Sequence, residues 1–212
     1  MFYVIIRAIL RFVMRIAFSM QVEGKANIPE EGGVILAANH SSMLDPVVVG
    51  CAIDRPIRFM AKRELFDNPF LGMIGRGLGA FPVQRGKDDK DAFRQALEVL
   101  RSGQVLGMFP EGTRSVDGRL QKAYSGAAVL AEKTDAYLVP VGIVGTNRVM
   151  RKGAVLPRGG RIYVRFGKPI IPAEVCSMIS LDECSVRPKD AITNLMMEEI
   201  KRLVGSFSES PC

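Results

Sequence analysis

The 212 residues contain one histidine, His40, and a carboxylate, Asp45, stands five positions after it. Histidine is the side chain whose unperturbed pKa, about 6.5, leaves it largely neutral and able to take a proton near neutral pH. A carboxylate that accepts the Nδ1 hydrogen would hold such a ring in the tautomer that presents Nε2 as a base, and would stabilise the imidazolium formed when the base is used. Side chains five apart do not share a helical face, which needs a spacing of three or four. The pair therefore requires a bend, with His40 just past the end of an apolar strand, Val34 to Ala38, and Asp45 at the mouth of the following helix.

Three later stretches stand out, two of them with charged groups at the ends of apolar strands. Gly79-Ala80-Phe81-Pro82-Val83-Gln84-Arg85-Gly86 ends an apolar strand on Arg85, whose planar guanidinium can grip a phosphate with two hydrogen bonds. Phe109-Pro110-Glu111-Gly112-Thr113-Arg114-Ser115 sets Glu111 and Arg114 on a tight turn after a buried strand, Gly112 allowing a backbone geometry closed to other residues. Lys122 follows closely and adds positive charge. Val139-Pro140-Val141-Gly142-Ile143 has no ionisable side chain, so its contribution is shape or core. Taken singly, Arg85 reads equally well as a solvated strand end, and the Pro-Gly stretch as a surface turn.

The seven residues Asn39 to Asp45, which hold a His-x4-Asp motif, and these three blocks in this order resemble the glycerolipid acyltransferases, most closely the bacterial 1-acylglycerol-3-phosphate (lysophosphatidic acid) acyltransferases. The resemblance runs roughly from Val22 to Pro169. It implies a mixed sheet flanked by helices with the site at one edge, and an O-acyltransferase of phospholipid synthesis. The acyl group would pass from acyl carrier protein or coenzyme A to the sn-2 hydroxyl of lysophosphatidic acid, giving phosphatidic acid. By the same resemblance His40 is the base and Asp45 its orienter, Arg85 and Arg114 bind phosphate, and Glu111 with Gly112 and Thr113 positions the acceptor, with Lys122 alongside. Glycerol 3-phosphate or another lysolipid remains open as acceptor, and a non-catalytic module docking on anionic membranes is the reading from a different class. Neither a metal nor any cofactor beyond the thioester co-substrate is expected. Ser41 is not expected to be a nucleophile, since neighbours in an extended chain face opposite ways, and there is no G-x-S-x-G elbow. Transfer should be direct, without an acyl-enzyme.

Composition narrows the classes further. A length of 212 residues, 48% of them hydrophobic, suits one domain with a substantial core. Lys and Arg number 29 against 22 Asp and Glu, a net charge of +7 that favours phosphate groups or a phospholipid surface. Nucleic acid is not expected, because Trp is absent, aromatics make up 7%, and no nucleic-acid module is recognisable. Cys51, Cys176, Cys184 and Cys212 have no C-x-x-C spacing and, with one histidine, predict reduced structural thiols in place of zinc.

Met1 to Met20 is apolar but interrupted by Arg7, Arg11 and Arg15, a four-residue recurrence that draws one stripe on a helix. Twenty helical residues reach about 30 Å, yet central arginines cost roughly 2.5–3.5 kcal/mol each in a spanning helix. The segment is expected to lie in the membrane interface on the cytoplasmic face, with an ordinary packed helix as the alternative. Residues 21–212 form the acyltransferase domain, an alternation of strands and helices that predicts an α/β fold. Strands are predicted at Val34 to Ala38, Ile57 to Ala61, Gly79 to Val83, Gln104 to Phe109, Leu138 to Gly145 and Arg161 to Phe166. Helices are predicted at Leu44 to Cys51, Phe70 to Leu78, Lys87 to Arg101, Ala123 to Thr134 and Ala191 to Val204. Ile171 to Lys189 has no functional reading.

Overall fold

The computed structural model describes residues 2–77, 79–83, 90–151, 153–154, 156–181 and 187–207. In chain order they form α1 (Phe2–Ala17), β1 (Gln21–Glu23), β2 (Val34–Ala38), α2 (Asp45–Ala52), β3 (Ile57–Lys62), α3 (Glu64–Asp67), α4 (Pro69–Gly77) and β4 (Ala80–Val83). There follow α5 (Lys90–Arg101), β5 (Val105–Met108), α6 (Gly126–Thr134), β6 (Tyr137–Val144), α7 (Thr146–Val149), β7 (Tyr163–Phe166), α8 (Pro172–Leu181) and α9 (Pro188–Gly205). Among the described residues the strands make one seven-stranded sheet in the order β1-β7-β6-β2-β5-β3-β4. Neighbouring strands run parallel except for the antiparallel pair β6 and β7, so the sheet of this α/β domain is mixed.

β2 is apolar at every position because both faces of the sheet are covered, the condition under which parallel strands lose their alternation. Val34, Leu36 and Ala38 face a core that includes Met14 of α1, Phe18 just after it, and Val48 and Val49 of α2. Ile35 and Ala37 face the opposite core, built on α5, α6 and α9. α5 buries Ala92, Ala96 and Leu100, and α9 buries Ile192, Met196 and Ile200, each set four residues apart as a single helical stripe requires.

Two neighbouring strands send their chains to opposite faces. After β2 the chain passes through α2 and moves toward β3, whereas after β5 it passes through α6 and crosses over β2 to β6. Such a divergence opens a crevice outside the carboxyl ends of the strands, the usual ligand position in sheets of this kind. The residues from His40 to Asp45 therefore sit above the middle of the sheet, at one end of its strands and away from its outer strands β1 and β4.

The alternation of elements agrees with the sequence at every strand of four residues or more and at α2, α4, α5, α6 and α9. β1, α3, α7 and α8 were not anticipated. β1 spans three residues and exists only by pairing with β7 far along the chain, a partner that no local pattern announces.

α1 turns two of its arginines toward the domain. Arg11 donates to the carbonyl oxygens of Cys51 at 2.8 Å and Ile53 at 2.6 Å, and pairs with the Asp54 carboxylate at 2.9 Å. Arg7 donates to the Asp54 carbonyl, and Lys25 pairs with the Asp54 side chain. These cations occupy the carboxyl end of α2, where free carbonyls and the helix dipole favour positive charge. Hydrogen bonds from Lys25 and Arg11 hold the Asp54 carboxyl down at about 2. With Arg7 and Arg11 turned inward, Ile9, Phe12, Val13 and Ile16 form an exposed stripe at helical spacing, Phe12 and Ile16 each 66% exposed. No helix among the described residues is long and apolar enough to cross a membrane.

Candidate active site

β2 ends at Ala38, and the next six residues make a loop before α2 opens on Asp45. An acidic residue in the first turn complements the helix dipole, and Pro46 beside it lacks only an N–H that the first turn leaves unbonded. The loop is pinned at its start by Asn39, whose Nδ2 donates to the Ile143 carbonyl at 2.9 Å while its Oδ1 accepts from the Ile143 amide at 2.7 Å. Further along, the Ser42 hydroxyl donates to the Met150 carbonyl at 3.0 Å.

The bend brings His40 and Asp45 together. Nδ1 of His40 lies 2.8 Å from Asp45 Oδ2, and the same oxygen accepts from the backbone amides of Ser41 and Ser42 at 2.7 Å each. Asp45 is fully buried, so three donors converge on one ionised oxygen in a setting of low dielectric, where charge-assisted hydrogen bonds are strong. Its Oδ1 has no partner among the described residues. With Nδ1 committed to Asp45, Nε2 is the ring nitrogen left over, and among the described residues it has no hydrogen-bond partner, on a side chain that is 11% exposed. The Ser41 hydroxyl points elsewhere, 3.2 Å from the Thr146 hydroxyl.

A column of aromatic rings sets the plane of the imidazole. His40 stacks on Phe109 with ring centroids 4.0 Å apart and planes at 21°, and Phe59 continues the column 6.4 Å beyond. Gly107 makes room for it, because a Cβ there would run into the Phe59 ring.

Glu111 holds the base loop through its carboxylate. It is 3% exposed; Oε1 accepts the His40 amide and Oε2 the Gln121 amide, both at 2.8 Å. Burial pushes its carboxyl above the ordinary range in spite of those two donors. Each oxygen takes one backbone amide, and together they brace the base loop against the stretch after β5. The Ser115 amide adds a second tie by donating to the His40 carbonyl at 2.8 Å. Residue 40 is thus anchored at both its amide and its carbonyl.

The other residues singled out by sequence fall as follows. Gly112 has φ +69°, and a Cβ there would press on the Tyr124 ring at 3.0 Å. Thr113 donates weakly to the Gln121 side chain at 3.3 Å on the surface. Arg114, partly exposed beside Ser115, and Lys122, exposed, make no hydrogen bond or ion pair among the described residues. Arg85 lies outside the described residues. Asn39, Phe109 and Thr146 went unassigned in the sequence reading. Of these only Phe109 carried a hint, as the apolar residue that closes its strand before the Pro-Glu-Gly turn.

The family model described as Acyltransferase matches residues 19–144, more than half of the chain. The chain belongs to this acyltransferase family. Among its relatives is the 1-acyl-sn-glycerol-3-phosphate acyltransferase of Bacillus subtilis, 29% identical over 94% of this chain and 96% of that one. A protein of the same name from Borreliella burgdorferi is 26% identical over 93% of this acyltransferase and 77% of its own length. The chloroplastic 1-acyl-sn-glycerol-3-phosphate acyltransferase LPAT1 of Arabidopsis thaliana is 31% identical, over 72% of this chain and 44% of that entire protein. The solved structure of the 1-acyl-sn-glycerophosphate acyltransferase PlsC from Thermotoga maritima superposes with a TM-score of 0.79 at 26% identity, covering 99% of this acyltransferase and 83% of that chain.

Proposed function

We propose that this enzyme transfers a fatty acyl group from a thioester, of acyl carrier protein or coenzyme A, to the sn-2 hydroxyl of 1-acylglycerol 3-phosphate, forming phosphatidic acid. The observation that carries the proposal is the imidazole of His40, at the carboxyl end of β2 and tied at Nδ1 to a fully buried carboxylate, with Nε2 free of hydrogen bonds among the described residues. Nε2 takes the hydroxyl proton as the alcohol oxygen attacks the thioester carbonyl carbon, and Asp45 stabilises the imidazolium. Collapse of the tetrahedral intermediate breaks the carbon–sulfur bond, and the proton on Nε2 passes to the departing thiolate. Products are an ester and a free thiol, with no acyl-enzyme. Arg114 and Lys122, cations near the base loop without partners among the described residues, supply the attraction for the acceptor phosphate, joined by Arg85. Glu111 is a positioning residue for His40.

Thiol release by the purified protein tests the activity: acyl carrier protein and coenzyme A thioesters, each offered with lysophosphatidate or glycerol 3-phosphate. Release that requires lysophosphatidate supports the proposal. Preference for glycerol 3-phosphate reassigns the acceptor, and no release from any pair, with vesicle binding intact, favours a non-catalytic module.

Glu111→Gln separates positioning from acceptor binding. Glutamine offers one carbonyl oxygen where two buried amides need acceptors, so one amide is left facing an NH2 group, at a cost of roughly 1–3 kcal/mol. Stability and kcat should fall while KM for the acceptor stays within about twofold. A rise confined to KM would return Glu111 to the acceptor.

The stripe Ile9, Phe12, Val13 and Ile16 supports peripheral attachment of α1 to a membrane interface. Met14 and Phe18, buried on the same segment, belong to the core, so deletion would damage the fold as well as the attachment. Phe12→Ser with Ile16→Ser changes only the exposed face. At about 1.5 kcal/mol or more per apolar side chain returned to water, partitioning onto vesicles should weaken by roughly a hundredfold. Flotation equal to that of the unaltered protein would refute this attachment.

A further inference from the structure

Between Asp135 and Glu174 the sequence has no acidic residue, and the segment between β6 and β7 (residues 145–162) is its most exposed part. Arg148, Arg151, Arg158 and Arg161 are exposed there, and none of their side chains forms an ion pair or hydrogen bond among the described residues. Leu156, in the same segment, is 77% exposed. The segment borders the active site: Thr146 meets the Ser41 hydroxyl, and the Met150 carbonyl accepts the Ser42 hydroxyl. It also borders the turn that leads from α1 into β1, because the Ile162 amide donates to the Phe18 carbonyl at 3.1 Å and the Gln21 amide to the Ile162 carbonyl at 2.9 Å.

Exposed large apolar side chains recur in the neighbouring loops. Of the eleven among the described residues, four form the α1 stripe, and four more, Met43, Val116, Tyr124 and Leu156, come from the loops at the carboxyl ends of β2, β5 and β6. We propose that the segment 145–162 is a second membrane contact, which reads anionic phospholipid headgroups with its arginines, inserts Leu156, and with α1 seats the mouth of the site on the bilayer. The proposal rests on the reading of the acceptor as a lipid. Cations alone would suit an acidic protein equally well. An exposed leucine among the cations, in a segment hydrogen-bonded to the residues that follow α1, fits the headgroup boundary of a bilayer instead.

The test uses the full chain, flotation on phosphatidylcholine vesicles with and without phosphatidylglycerol, and thiol release from coenzyme A and acyl carrier protein thioesters. Arg151→Glu with Arg158→Glu should lower binding to the phosphatidylglycerol vesicles by about tenfold or more, leave binding to pure phosphatidylcholine unchanged, and leave turnover in detergent micelles within about twofold. Leu156→Ser, an independent change, should weaken binding to both kinds of vesicle. Flotation of both variants like the unaltered protein overturns the proposal. So does a loss seen only with acyl carrier protein thioester while flotation holds, which would make the segment a docking surface for an acidic protein. Absence of thiol release from the unaltered protein would sink the proposed reaction, and flotation would still judge the membrane contact.

Discussion

His40→Ala should lower kcat/KM for acyl transfer by about 10²–10⁴-fold, the loss associated with removing a positioned general base. The fold should survive, for reasons visible in the backbone. Residue 40 is held through its amide by Glu111 and through its carbonyl by the Ser115 amide, and neither bond involves the imidazole. Phe109 loses a stacking partner but keeps Phe59 behind it. Vesicle binding should also be unchanged, because the stripe on α1 and the arginines after β6 are untouched. Steady-state thiol release, read beside a thermal melt and flotation, checks all three expectations. Activity within about threefold of the unaltered enzyme would remove His40 from the chemistry.

Asp45→Asn should cost about as much, roughly 10²–10⁴-fold in kcat, with far less disturbance than a larger deletion would bring. The donors around the carboxylate dictate how the asparagine sits. Three of them converge on Oδ2, so the amide oxygen must take that place, keeping the bonds to Ser41 and Ser42 and the orientation of the ring. The NH2 group then falls where Oδ1 now lies, a buried position without a partner among the described residues, and this costs roughly 1–3 kcal/mol of stability. What disappears is the negative charge that stabilises the imidazolium. The expected signature is a loss in kcat with little change in KM for either substrate, measured by initial rates across both concentrations. A change confined to KM would place Asp45 in substrate binding.

Much of this arrangement was written locally. The run from Val34 to Ala38 announced a strand buried on both faces, and the five-residue separation of His40 and Asp45 demanded the strand-to-helix bend that the structure contains. What the sequence hid depends on partners far away in the chain. The inward turn of Arg7 and Arg11 follows from the carbonyls at the end of α2 and from Asp54, about forty residues on. A four-residue arginine spacing cannot say which side of a helix meets them. Glu111 is the same kind of case. An acidic residue on a Pro-Gly turn reads as a group facing substrate, whereas burial between two amides, one of them seventy-one positions away, makes it a brace. Gly107 likewise looked like a strand residue of no consequence until Phe59 was found to occupy the space above it.

The claim on which the mechanism depends is that Asp45 acts through His40, the two forming one base. Comparing kcat/KM for His40→Ala, Asp45→Asn and the double variant tests it most directly. Groups that work as a unit lose their contribution once, so the double variant should fall no further than His40→Ala alone, within about threefold. If the two single losses multiply in the double variant, the residues act independently and the account of the base is wrong.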